Sequence, residues 1–163
     1  MKQITTLAVI EDGDMALLAM KKRGFGEGWW NGYGGKIQDG ESVEDAMVRE
    51  LEEESGLTAR VFKKRAVLDF IFEGTDKKVE MHVFEVTEYD GDLVETEEMR
   101  PQWFLKSEIP YDNMWPADRN WFPLFFKGED IEGFAVFDGE TKAYIKSNFK
   151  IKSKDDDEAQ PSD

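Results

Sequence analysis

The spacing of apolar and polar residues changes several times along this chain, and each change marks a predicted element. Residues 3 to 10 and 15 to 21 are apolar runs parted by Glu11-Asp12-Gly13-Asp14, which predicts two strands joined as a hairpin through a glycine-containing turn. From Lys22 to Lys36 the periodicity stops, and Gly24, Gly26, Gly28, Gly32, Gly34 and Gly35 predict a loop able to turn sharply and lie close to a ligand. A helical period then takes over, with Val43, Ala46, Met47 and Leu51 on one stripe. Ser42 with Asp45 three residues on reads as a capping-box-like start and Gly56 as a stop, giving a helix over residues 43 to 55. Residues 58 to 73 and 78 to 88, rich in Val, Phe and Ile, predict long strands linked across residues 74 to 77. Shorter strands are expected near 101 to 105, 131 to 138 and 141 to 148. A second helix is expected after Trp115-Pro116, with the proline at an early helical position and Pro123 limiting its regularity. This order predicts an α/β fold, a mixed sheet with helices packed on its faces.

The first helix carries chemistry that its stripe alone does not explain. At about 100° per residue, Glu50, Glu53 and Glu54 fall in an arc of about 100° that overlaps the apolar sector, whereas Glu44, Asp45 and Glu52 lie opposite, as solvated charges should. Inward carboxylates within one turn of each other repel and require a cation or a proton. Their hard oxygens favour Mg2+, with Mn2+ as a substitute. Arg49, four residues before Glu53, can orient a carboxylate, Glu41 is placed to receive such an arginine, and Gly35 can lend its carbonyl to the metal.

Composition narrows the class. A chain of 163 residues, 40% hydrophobic and 13% aromatic, suggests one domain, taken as residues 1 to 152. There is no cysteine, hence no disulfide or thiolate metal site, and no basic, apolar leader is seen. A cytoplasmic protein with no membrane contact is expected. The net charge of −15 opposes binding to a nucleic-acid polymer, so a polyanionic substrate should be small and escorted by metal. Residues 153 to 163 hold five acids and one lysine with nothing larger than Ala159 to bury, which predicts a disordered, solubilising tail. The lack of a long exposed apolar stripe favours a monomer.

Gly35, Glu41, Arg49, Glu50, Leu51, Glu53, Glu54, Gly56 and Leu57 together form the pattern Gly-x5-Glu-x7-Arg-Glu-Leu-x-Glu-Glu-x-Gly-Leu, which is the full signature of the Nudix hydrolases. The resemblance extends outward. Residues 20 to 26 (MKKRGFG), 30 to 36 (WNGYGGK), 98 to 101 (EMRP), 114 to 116 (MWP) and 121 to 123 (WFP) look like the mammalian MutT-homologue branch, over roughly residues 4 to 148. That likeness implies a Nudix-type α/β/α sandwich. It also implies Mg2+-dependent hydrolysis of oxidised purine nucleoside triphosphates such as 8-oxo-dGTP, giving the monophosphate and pyrophosphate and sanitising the nucleotide pool. Carried over by position, it makes Glu50, Glu53 and Glu54 the metal ligands, with the Gly35 carbonyl and Glu98 completing or serving the site and Arg49 orienting it. Glu53, Glu54 and Glu98 are all candidates to activate the water.

The same resemblance maps a base pocket onto Thr6, Phe25, Asn31, Trp115 and Asp118, with Lys21 near the phosphates. A flat purine suits Trp115 or Phe25, Asn31 offers donor and acceptor, and a carboxyl can pair with a guanine-like edge. The chain departs from the branch after Trp115-Pro116, where two aspartates are replaced by Ala117 and Asp118. One carboxyl has fewer protonation patterns than two, so recognition should be narrower, with oxidised guanine kept more readily than oxidised adenine. His82, the only histidine, reads as structural. Other Nudix substrates, such as ADP-ribose, dinucleoside polyphosphates or ordinary dNTPs, and a non-catalytic nucleotide-sensing module, are the alternatives.

Overall fold

In chain order, β1 (Lys2–Asp12) and β2 (Met15–Lys21) are followed by β3 (Trp30–Asn31), β4 (Tyr33–Lys36) and helix α1 (Val43–Ser55). Then come the long β5 (Thr58–Glu73) and β6 (Lys78–Asp90), β7 (Met99–Leu105), helix α2 (Asp118–Phe126), β8 (Ile131–Asp138) and β9 (Tyr144–Ile151). The computed structural model describes residues 2 to 152, and the acidic segment 153 to 163, expected from the sequence to be disordered, lies outside them.

The period of β1 decides what lies on each side of the sheet. Leu7 and Val9 point into a cluster with Trp121, Phe122 and Phe125 of α2, while Ala8 and Ile10 point the other way, toward Met47 and Leu51 of α1. One helix thus covers each face, the α/β/α sandwich expected. Trp121 stacks on Phe122 at 4.0 Å between ring centroids and meets Phe125 edge-on at 6.0 Å, so truncating this fully buried indole to alanine should cost about 3–5 kcal/mol. The buried Arg65 closes the far end of α2. It bonds Glu85 at 2.9 Å and Asp130 at 2.6 Å, and its guanidinium sits 5.1 Å from the Phe125 ring.

Strand pairing explains where an opening forms. Along one edge β1 pairs in parallel with β6, from Lys2↔Lys78 to Ile10↔Val86. Along the other it exchanges partners, pairing with β4 from Thr5 to Ala8 and with β2 only from Ile10 to Asp12. From there β2 diverges, taking β7 along its whole length and β3 at its end. The sheet therefore forks beside the first half of β1. Beyond β6 it continues through antiparallel β5, parallel β8 and the edge strand β9.

Three expectations need correction. The glycine-rich segment is not all loop, because Trp30–Asn31 and Tyr33–Lys36 are strands. Glycine usually weakens a strand, but here β4 lies so close to β1 that a Cβ on Gly34 would come within 1.8 Å of the Thr6 carbonyl oxygen. The hairpin expected across Gly13 is present, although its strands pair only from Ile10 to Asp12 before the sheet forks. Pro116 precedes the helix, whose N-cap is Ala117. The last strand starts at Tyr144 rather than 141, since the Asp138 carboxylate accepts bonds from the Glu140 and Thr141 amides and Lys142 takes a φ of 64° to complete a turn. His82 lies on β6 with Nε2 2.8 Å from Glu80 and Nδ1 3.4 Å from Lys64, a surface polar contact in keeping with its structural reading.

Candidate active site

Helix α1 begins and ends as its sequence dictates. Ser42 Oγ accepts the Asp45 amide at 3.1 Å, and Gly56 leaves the helix with a φ of 81°. The three acids it carries are not equivalent. Glu54 is 7% exposed, Glu50 is half-buried, and the Glu53 side chain is 60% exposed. The expectation that all three continue the buried face is corrected for Glu53. At about 100° per residue, Glu54 sits some 20° from Met47 at the centre of the stripe and Glu53 some 120° from it.

Burial without a partner marks Glu54. Its Oε1 has no hydrogen-bond partner among the described residues, and burial, followed by the neighbouring Glu50 charge, pushes its pKa up to about 8. Lys21 acts in the opposite sense and Glu98 in the same sense. Arg49 holds the rest of the acids. Its Nε and Nη2 meet Glu41 at 2.7 and 3.0 Å, Nη1 meets Glu50 at 2.9 Å and Glu53 at 3.3 Å, and Nη2 also reaches the Lys36 carbonyl at 3.2 Å. Hydrogen bonding to Arg49 keeps Glu41 below the usual carboxylate range.

Gly35, on β4, faces Glu50. A Cβ there would lie 2.7 Å from the Glu50 carboxylate, so glycine leaves that carboxylate its present position, which any side chain would displace. Glu98, just before β7, is about half exposed and stands 3.7 Å from Lys21 and 3.5 Å from Arg23. Among the described residues no three acidic or imidazole side chains are already drawn round one point as metal ligands, because Arg49 engages Glu50 and Glu53 while Glu54 lies deeper.

In the fork of the sheet lies a cavity of about 250 Å³. Thr6, Lys21, Phe25, Asn31, Trp115 and Asp118, which come from five separate parts of the chain, all line it, together with Gly35 and Glu54. Glu50, Glu53 and Glu98 do not line this cavity. Trp115 forms an aromatic wall, with Phe25 tilted against it at 5.1 Å and the edges of Trp29 and Phe137 at 4.8 and 5.5 Å. Asn31 Oδ1 accepts the Gly32 amide at 2.8 Å, which leaves its NH2 donor and a second lone pair on Oδ1 to offer a ligand.

Besides Glu54, two polar groups on the wall are buried and unsatisfied. Asp118 Oδ1 accepts the Trp121 indole N–H at 3.1 Å, but Oδ2 has no partner among the described residues, and neither has Thr6 Oγ1. Burial pushes the Asp118 pKa up to about 7, against the Trp121 bond. Sequence reasoning missed Trp29, Phe70, Phe72, Met81 and Phe137, which also line the cavity. The alternation of Phe70 and Phe72 along β5 marked a buried face but carried no sign that part of that face is open.

A forked mixed sheet with a double-glycine strand pressed against an acidic helix defines the class, and comparison supplies the family. The NUDIX domain family matches residues 1–125, so the chain belongs to the Nudix family. It is 45% identical over 138 residues to a Danio rerio protein named oxidized purine nucleoside triphosphate hydrolase, covering 85% of this chain and 88% of that one. A Mus musculus protein of the same name is 43% identical over 135 residues, covering 83% and 86%. Among solved structures, a MutT protein from Bacillus halodurans superposes with a TM-score of 0.80 at 25% identity, covering 91% of this chain and 97% of its own.

Proposed function

We propose that this protein hydrolyses oxidised purine nucleoside triphosphates, 8-oxo-dGTP foremost, to the monophosphate and pyrophosphate, and so cleans the nucleotide pool. The observation that carries this reading is a cavity uniting an aromatic wall, the unsatisfied Thr6 and Asp118 and the buried Glu54 of the acidic helix. The names of the 43–45% identical relatives support the same substrate class.

A divalent cation fits the residues present. Glu54 is buried with an oxygen lacking a partner beside the Glu50 carboxylate, and Gly35 puts no side chain against Glu50, an arrangement that a hard cation would relieve. Glu50, Glu53, Glu54 and the Gly35 carbonyl would hold Mg2+, or Mn2+ in its place, with Glu98 adjoining. When bound, the metal supplies charge neutralisation on phosphate oxygens and lowers the pKa of water.

The chain's own groups do the rest. Trp115 and Phe25 receive the flat base, Asp118 Oδ2 and the Asn31 NH2 read its edge, and Lys21 meets the phosphates. Arg49 fixes the carboxylates through Glu41, and one of Glu53, Glu54 and Glu98 accepts the proton of the attacking water. No serine or cysteine nucleophile is needed. The reading extends to a monomer acting on free nucleotide in the cytoplasm; no helix among the described residues is long and apolar enough to cross a membrane. With Ala117 in place of a second carboxylate, turnover of 8-oxo-dGTP should exceed that of 2-hydroxy-dATP, and steady-state kinetics on both nucleotides tests this. Comparable kcat/KM values would contradict it.

A further inference from the structure

Beside the cavity, and sharing Lys21, Phe25, Gly35 and Phe72 with it, runs a wider groove of about 740 Å³. In a chain of net charge −15, this groove is lined by Lys21, Arg23, Lys36 and Lys77 against one acid, Glu98. Lys21 and Arg23 already answer Glu98. Neither Lys36 nor Lys77 has an ion pair with a carboxylate among the described residues.

Lys77 is held in place rather than loose. Its backbone is pinned in the turn between β5 and β6, where its amide donates to Thr75 Oγ1 at 3.1 Å and its carbonyl accepts the Phe72 amide at 3.2 Å. Its Nζ lies 4.9 Å from the Phe25 ring centre and 5.1 Å from that of Phe72, so the ammonium stands between two rings on the lip of the cavity. Such contacts position a cation but consume none of its strong hydrogen-bonding capacity. Lys36, which follows Gly35 at the end of β4, lines the same groove.

We propose that Lys77 is a phosphate-binding residue: the phosphate chain of the nucleotide leaves the cavity along this groove, and Lys77, with Lys36 lining the same groove, favours polyphosphates over shorter chains. This assignment rests on the nucleotide reading above but makes a separate demand, namely an anionic subsite that works without a base.

The test is calorimetric titration of the full chain, with Mg2+, using inorganic tripolyphosphate and, separately, the nucleoside 8-oxo-deoxyguanosine. Wild type is compared with Lys77→Gln, Lys77→Arg and the remote surface variant Lys63→Gln. Loss of one charge-assisted contact should weaken tripolyphosphate about tenfold in Lys77→Gln and make its binding less dependent on salt. Lys77→Arg should keep most of the affinity, Lys63→Gln all of it, and nucleoside binding should not change. Three results would overturn the proposal: no tripolyphosphate binding by wild type, unchanged affinity in Lys77→Gln, or an equal loss for nucleoside and tripolyphosphate, which would make Lys77 only a prop for Phe25. Lys77-dependent tripolyphosphate binding by a protein that turns over no oxidised nucleotide would leave this subsite standing and refute the substrate reading instead.

Discussion

Arg49 grips Glu41 through two bonds, Nε to Oε2 at 2.7 Å and Nη2 to Oε1 at 3.0 Å, and this fork ties the middle of α1 to the residue just before its cap. The remaining nitrogen, Nη1, is thereby aimed at Glu50 and Glu53. Lysine keeps the charge but cannot span these partners with one ammonium. Arg49→Lys should therefore lower kcat by about 10–100-fold, the usual effect of loosening groups that orient metal ligands, with KM little changed. Steady-state kinetics over a range of Mg2+ concentrations checks this.

Gly34 and Gly35 are neighbours on β4 with different reasons for lacking a side chain. At Gly34 an added Cβ meets backbone, 1.8 Å from the Thr6 carbonyl oxygen, whereas at Gly35 it meets the far end of Glu50, 2.7 Å away. Gly34→Ala should lower folding stability by about 1–3 kcal/mol or more through overpacking, seen as a reduced denaturation midpoint. Gly35→Ala should remain folded, since Glu50 can swing aside, but lose about 10–100-fold in activity.

Asp118 should make both stability and binding pH-dependent. Its folded pKa is raised, from 3.8 to about 7, because burial disfavours the charged form. The stability associated with the neutral acid is fully present below about pH 4 and is lost as pH rises through 7. Glu11, raised to about 7 first by burial and then by Glu85, works in the same sense, so the variant difference isolates Asp118. Relative to wild type, Asp118→Asn should gain stability progressively from pH 4 to 7, and its KM for 8-oxo-dGTP should be higher and flatter with pH. Thermal denaturation and kinetics across that range provide the check.

Much of this was legible in the sequence because local rules and tertiary context agree. The cap at Ser42 and the stop at Gly56 bracket α1 as predicted, and β2, β5 and β8 match their expected bounds. What was not legible depends on neighbours distant in sequence. Glycine at 34 and 35 signals a loop until β1 and α1 are seen pressing on the same strand. Glu53 looks equivalent to Glu54 in the motif, and although its angle from Met47 could be read from the helical period, the exposure of one and burial of the other are set by what packs against α1. Trp29, within the glycine-rich segment, and Phe137, within a predicted strand, carry no mark of the site until Trp115 brings them to one cavity. The position of Lys77 between two rings is likewise a product of the fork in the sheet, because Phe25 and Phe72 lie far apart along the chain.

The most direct test of the central claim is pyrophosphate release from 8-oxo-dGTP, dGTP and ADP-ribose with Mg2+, by wild type and by Glu54→Gln. The predicted result is a strong preference for 8-oxo-dGTP in wild type and near-complete loss in the variant. Equal turnover of dGTP, or release from 8-oxo-dGTP that survives in Glu54→Gln, would contradict the account.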